Sequence, residues 1–200
     1  MVCRDGRCRY TVGLSPSRIP ALPDRRTTYR LQPHPGNRGR TSEAIEVTVS
    51  QSAASLSLTY RITGLPAIRL PAPAPPGPAD ELWRHTCCEA FVASDGVYHE
   101  FNFSPAGSWA VFRFIDIRQR DPAYRPPVAP AIDSAADGHS LTLTAELPTA
   151  LLPAGAPRTL GLTAVIEHAD GSLAYWALRH DAPQADFHRP ATFLIPLDFA

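Results

Sequence analysis

The chain has 200 residues, 44% of them hydrophobic, and a formal net charge of zero, which suffices to bury one core and is marginal for two. All 19 basic residues are arginine, so a Schiff-base lysine and the lysine of a GxxxxGK phosphate loop are both excluded. Charge is unevenly spread: residues 1–40 hold nine arginines against Asp5 and Asp24, so a basic leader precedes an acidic main segment.

Residues 1–30 scatter Pro and Gly without apolar periodicity and are expected to form a flexible basic extension, with residues 31–200 as the single folded domain. Arginine excess alone could grip nucleic acid or anionic lipid, but a flexible tail is the plainer reading, and neither a nucleic-acid nor a membrane partner is expected. The leader has no apolar run suited to a signal-peptide core or a membrane span, and a cytoplasmic protein is expected. Cys3 and Cys8 lie in this leader. Cys87 and Cys88 are strand neighbours pointing to opposite faces, so reduced thiols are expected rather than a local disulfide or a joint metal site.

Short alternating segments bounded by Gly, Pro, Asp or Asn then recur, and no long stretch keeps a 3.6-residue apolar period. "AIEVTVSQ" (44–51) and "SLSLTYRITG" (55–64) predict an opening strand pair, with Leu56, Leu58, Tyr60 and Ile62 on one face. "AIRLP" (67–71) predicts a short edge strand. "PAPAPPGPAD" (71–80) predicts an extended loop outside any ladder. "LWRHTCCEAFVAS" (82–94) and "VYHEFNFS" (97–104) form a hairpin around Asp95-Gly96, and "GSWAVFRFIDI" (107–117) adds a third strand. Residues 116–133 read as a long proline-rich loop. "HSLTLTAEL" (139–147), "RTLGLTAVIEHAD" (158–170) and "SLAYWALRH" (172–180) follow as strands, "TALLP" (149–153) as at most one helical turn, and "TFLIPL" (192–197) as the last strand. The pattern predicts an all-β fold, a single antiparallel sandwich or jelly roll.

Alternation places Trp83, His85, Cys87, Glu89 and Phe91 on one face of their strand and Tyr98, Glu100, Asn102 and Ser104 on one face of the next. Val97, His99, Phe101 and Phe103 are the more apolar set, so Glu100 and Asn102 are expected to face away from the core. On the third strand Ala110, Phe112 and Phe114 are taken as core, which would leave Trp109 and Arg113 beside Glu100 and Asn102. A carboxylate, an amide and a guanidinium flanked by indole suit a sugar, whose hydroxyls need hydrogen bonds and whose C–H face needs stacking. Two alternatives stay open: a structural salt bridge of Glu100 with Arg113, joined by Glu89, and a hydrolase using Glu89 and Glu100 as acid and base. Tyr175 and Trp176 point to opposite faces, one to the core and one toward a ligand. Asp186, Phe187 and His188 fall in a loop before the last strand, where sandwich folds carry site residues. His85, His99, His168, His180 and His188 show no HExxH or HxH spacing, so no metal is expected; haem through two histidines is unsupported by spacing but not excluded.

"LWRHTCCEAFVASDGVYHEFNFSPAGSWAVFRF" and "YWALRHDAPQADFHRPATF" together resemble bacterial DOMON-like proteins related to the family 9 carbohydrate-binding modules. The motifs are the Trp, Glu-Ala-Phe, Tyr-x-Glu-Phe-x-x-x-Pro-x-Gly and Asp-Phe-His, and the resemblance runs from about Leu31 onward. It implies a jelly-roll-like β-sandwich that binds a small ligand, a saccharide first and haem as the alternative, without catalysis, catalytic residues or a resident cofactor. Motif matching carries over Trp83, Glu89, Tyr98, Glu100, Asn102 and Trp176 as ligand-binding candidates, to which the strand faces add Trp109 and Arg113. His-Thr-Cys stands where such modules tend to carry acidic residues, so their calcium or sugar site does not transfer directly.

Overall fold

A computed structural model describes residues 25–37 and 43–199, together with a short ribbon formed by β1 (Val2–Arg4) and β2 (Arg7–Arg9). Strands β3 (Arg25–Arg30), β4 (Gln32–Pro33), β5 (Ala44–Gln51), β6 (Ser55–Thr63), β7 (Gly77–Pro78), β8 (Cys87–Ser94), β9 (Val97–Phe103) and β10 (Ser108–Asp116) lead into β11 (Gln119–Arg120), β12 (Ala131–Ala136), β13 (Ser140–Pro148), β14 (Arg158–Glu167), β15 (Leu173–Ala177) and β16 (Ile195–Leu197). They form two sheets: β12-β13-β6-β5-β3, and β11-β10-β9-β8-β14-β15-β4 with β16 on β14 and β7 on β10. The chain is a single-domain antiparallel β-sandwich, and its helical segments among the described residues are single 3-10 turns such as Leu82–Arg84 and Thr149–Leu151.

The β8–β9 hairpin turns at Asp95 and Gly96, both at positive φ (51° and 80°). That twist matches the strands, and an Asp-Gly pair supplies it with little strain. Leu56, Leu58, Tyr60 and Ile62 are fully buried on β6 and, with Val47, Leu143 and Leu147, face Ala90, Val92, Phe101, Phe103, Leu160 and Leu162 of the larger sheet. Tyr60 crosses this core and donates its hydroxyl to the Glu89 carbonyl at 2.6 Å, which satisfies a phenol that burial would otherwise penalise.

Several expected elements are placed differently. β3 pairs with β5 along its whole length, so the sandwich begins upstream of residue 31; most of the expected flexible extension, with the side chains of Cys3 and Cys8, lies outside the described residues. Within the proline-rich 71–80 segment, β7 makes a two-residue parallel pairing with β10, because Gly77 and Pro78 sit at an edge where a missing N–H costs little. Ile68 makes one isolated bridge to His168 in place of an edge strand. Leu82–Arg84 is a 3-10 turn and the strand starts at Cys87. The expected 116–133 loop yields to β11 and to β12, which pairs with β13.

The larger sheet is apolar on both faces. Opposite the inter-sheet core, Phe91, Tyr98, Ala110, Phe112, Phe114 and Phe193 form a second buried cluster, with Leu82 and Phe187 packed against it. This outer face carries the candidate site.

Candidate functional site

A cavity of about 500 Å³ opens over the outer face of the larger sheet. Its floor is Glu89 and Phe91 of β8, Glu100 of β9 and Val165 of β14. Phe112 and Phe114 of β10, with Trp83 and Arg84 of the 3-10 turn, wall one end; Leu173 and Tyr175 of β15 wall the other; Asp186, Phe187 and His188 close over it, and Arg118 and Arg120 stand at the rim. Trp83 meets Phe112 edge-on at 6.1 Å and Tyr175 meets Phe187 edge-on at 6.0 Å. Three strands separate β10 from β15, so the two aromatic pairs rise from backbones roughly 19 Å apart at the usual strand spacing.

The floor is polar and almost dry. Glu89 is 2% and Glu100 5% exposed. They lie diagonally on adjacent strands, since Glu89 is in register with Asn102 and Glu100 with Phe91, which puts both carboxyls on one face. Asn102 donates to Glu100 Oε1 at 2.7 Å, and its own Oδ1 accepts from the Cys87 thiol at 3.7 Å. Thr163 donates to Glu89 Oε2 at 3.3 Å, while Glu89 Oε1 is buried without a hydrogen-bond partner. Burial pushes the Glu100 carboxyl up to about 7 against the pull of Asn102 and the rim arginines. Burial and then the neighbouring Glu100 raise Glu89 well above the usual carboxylate range. Both effects disfavour the charged form.

His188 links the capping loop to this floor. The Tyr98 hydroxyl accepts the Arg118 backbone N–H at 3.0 Å and lies 2.9 Å from His188 Nδ1, the direction in which it donates. His188 Nε2 then faces Glu100 Oε2 at 3.6 Å. Burial, followed by the Arg118 charge, lowers His188 to about 4, so the ring is neutral at pH 7. Phe91 stacks on Phe193 at 5.4 Å and Phe114 meets the His188 ring edge-on at 4.9 Å, which pins the loop to the sheet.

Of the sequence candidates, Trp83, Glu89 and Glu100 line the cavity, and Tyr98 and Asn102 sit directly behind its lining. Trp109, Arg113 and Trp176 do not join them. Trp109 is in register with Phe103 and packs on the inter-sheet core; Arg113 is in register with His99 and pairs with Asp121 at 3.5 Å. The expected orientation of β10 is therefore reversed, because the phenylalanines taken as core belong to the second, outer cluster. The alternative of a Glu100–Arg113 bridge does not form, Glu100 meeting Asn102 and His188 instead. Trp176 is 3% exposed within the inter-sheet core, and Tyr175 is the residue of that pair that meets the cavity. Phe112, Phe114, Arg118 and Arg120 also line the cavity, with no sequence signal that marks them for it, whereas Phe91 shares the Glu89 face that alternation defines.

The histidines are engaged individually: His85 with Glu167, His99 with the Leu151 carbonyl, His168 with Glu43 and His180 with the Gln32 carbonyl. Among the described residues, no three His, Cys, Asp or Glu side chains stand close enough to hold a metal ion.

The architecture is shared with solved structures described as carbohydrate-binding. A "putative carbohydrate-binding protein" from Bacteroides uniformis is similar over 84% of each chain, with a TM-score of 0.57 and 17% identity. A family 9 carbohydrate-binding module from Caldicellulosiruptor kristjanssonii, solved in complex with cellotriose, matches 74% of this chain and 71% of its own, with a TM-score of 0.51 and 6% identity. At these identities the likeness establishes the fold. No family model matches the chain, and no curated protein matches its sequence.

Proposed function

We propose that this chain is a non-catalytic carbohydrate-binding domain of the DOMON-like and family 9 module type, with the ligand held in the cavity over β8, β9 and β14. The observation that carries the reading is the combination of aromatic pairs at both ends of the cavity with buried carboxyls between them. A pyranose presents apolar C–H faces and a ring of hydroxyls, so rings supply contact area and the floor supplies orientation. Trp83, 37% exposed, offers its indole without first leaving a packed core. Glu89, Glu100 and His188 face the hydroxyls, Asn102 and Tyr98 position Glu100 and His188, and Phe112, Tyr175 and Phe187 complete the walls. The likeness to sugar-binding structures supports this choice of ligand class.

The test is calorimetry and thermal shift of the full chain against a panel of mono- and oligosaccharides. Binding raises the apparent stability of the native state, and Trp83→Ala should weaken it by about 1–3 kcal/mol, as for a truncated anchor, with an unchanged melting temperature. Absence of any saccharide binding by the parent chain refutes the proposal. A carboxyl near neutrality is also what a general acid requires, so saccharide turnover that vanishes in Glu100→Gln would replace binding by hydrolysis.

A further inference from the structure

Among the described residues, matching arginines to acids around the cavity leaves two carboxyls over. Each rim arginine has an acidic neighbour at the surface: Arg84 with Glu81 at 2.8 Å, Arg118 with Asp186 at 2.7 Å, and Arg120 with Asp80 at 3.9 Å. Arg120 also lies over the Phe112 ring, 3.6 Å from its centroid, which holds it away from the floor. Among the described residues no arginine ion-pairs with Glu89 or Glu100; Arg118 and Arg120 act on Glu100 only from a distance, and the one basic group within 4 Å of either carboxyl is the His188 ring. Glu89 in addition keeps one oxygen buried without any hydrogen-bond partner. Two buried carboxyls with no cation of their own are kept from ionising, and a sugar offering only hydroxyls would leave them so, whereas a cation seated between them would let them carry charge.

The geometry points to a ligand that brings its own cation: a saccharide carrying a free amino group, its ammonium seated between Glu89 and Glu100. This deepens the sugar reading and rests on it. An ammonium donates three hydrogen bonds, which Glu89 Oε1 and the Glu100 carboxyl can accept as charge-assisted contacts, the stronger kind. Phe91, Phe112 and Trp83 line the same cavity, and an aromatic lining favours a cation in a desolvated site. The neighbouring pyranose carbons then meet the aromatic walls as a neutral sugar would.

Calorimetry on the full chain at pH 7 should compare glucosamine and galactosamine with glucose and galactose, and with benzylamine as an amine that is not a sugar. At least one amino sugar is expected to bind tenfold or more tightly than its neutral counterpart, and Glu89→Gln to abolish that ratio. The comparison on the parent chain needs no variant to fold. Equal binding of amino and neutral sugars overturns the ammonium site while leaving the sugar reading intact. Binding of benzylamine with neither sugar class keeps the ammonium site and removes the sugar reading; no binding of any probe overturns both. A preference that persists in folded Glu89→Gln overturns the assignment of the ammonium to this floor.

Discussion

Replacing Glu100 by glutamine should stabilise the empty protein above neutral pH, by an amount that can be worked from its burial. The unfolded chain loses the Glu100 proton near the ordinary 4.5, whereas the folded chain holds it to about 7. Between those values the folded state binds more protons, so the Glu100 contribution to stability is fully present below pH 4.5 and is lost as pH rises through 7. At about 1.4 kcal/mol per tenfold change in proton affinity, the loss approaches about 3.5 kcal/mol as an upper bound. Glutamine keeps an acceptor for Asn102 and carries no charge to desolvate. Urea unfolding of parent and variant from pH 4.5 to 8 should therefore give a difference near zero at the acid end that grows toward this value at pH 8, with equal m-values. The depressed His188 acts in the opposite direction, its contribution being lost as pH falls below 6.5, but it enters both chains; relief of Glu89, which Glu100 helps to hold raised, adds to the difference in the same direction. A difference that is flat with pH, or a variant less stable than the parent at pH 8, refutes the assignment of a protonated, desolvated Glu100.

Trp176→Ala should cost about 3–5 kcal/mol of stability, as for a large aromatic removed from a core, and the same chemical-denaturation assay would show it as a fall in the midpoint. Gly161→Ala would place a Cβ 2.4 Å from the Phe193 ring; because Phe193 is stacked on Phe91 beneath the capping loop, a loss of about 1–3 kcal/mol is expected, together with weaker saccharide binding, and an unchanged melting temperature would contradict the packing described.

Alternation along each strand was enough to pair Leu56, Leu58, Tyr60 and Ile62, to separate Glu100 and Asn102 from Phe101 and Phe103, and to set the Asp95-Gly96 hairpin. Those features follow from the period-two geometry of a strand and from local turn chemistry, which need no distant partner. The face that each strand buries is a different matter. The usual inference runs from the more apolar face to the core, and it holds for β6, whose other face is polar. It fails for β10, where Phe112 and Phe114 lie beneath the capping loop while Trp109 and Val111 meet the smaller sheet. A sheet covered on both sides has two apolar faces, and only the packing of segments distant in sequence decides which one is the inter-sheet core. The same packing chose Tyr175 over Trp176 for the cavity and brought His188 over Glu100. It also left the two floor carboxyls without an arginine at ion-pair distance among the described residues, because the ion pairs that residue types alone would permit depend on distances that arise only when the sheet and the 183–193 loop come together.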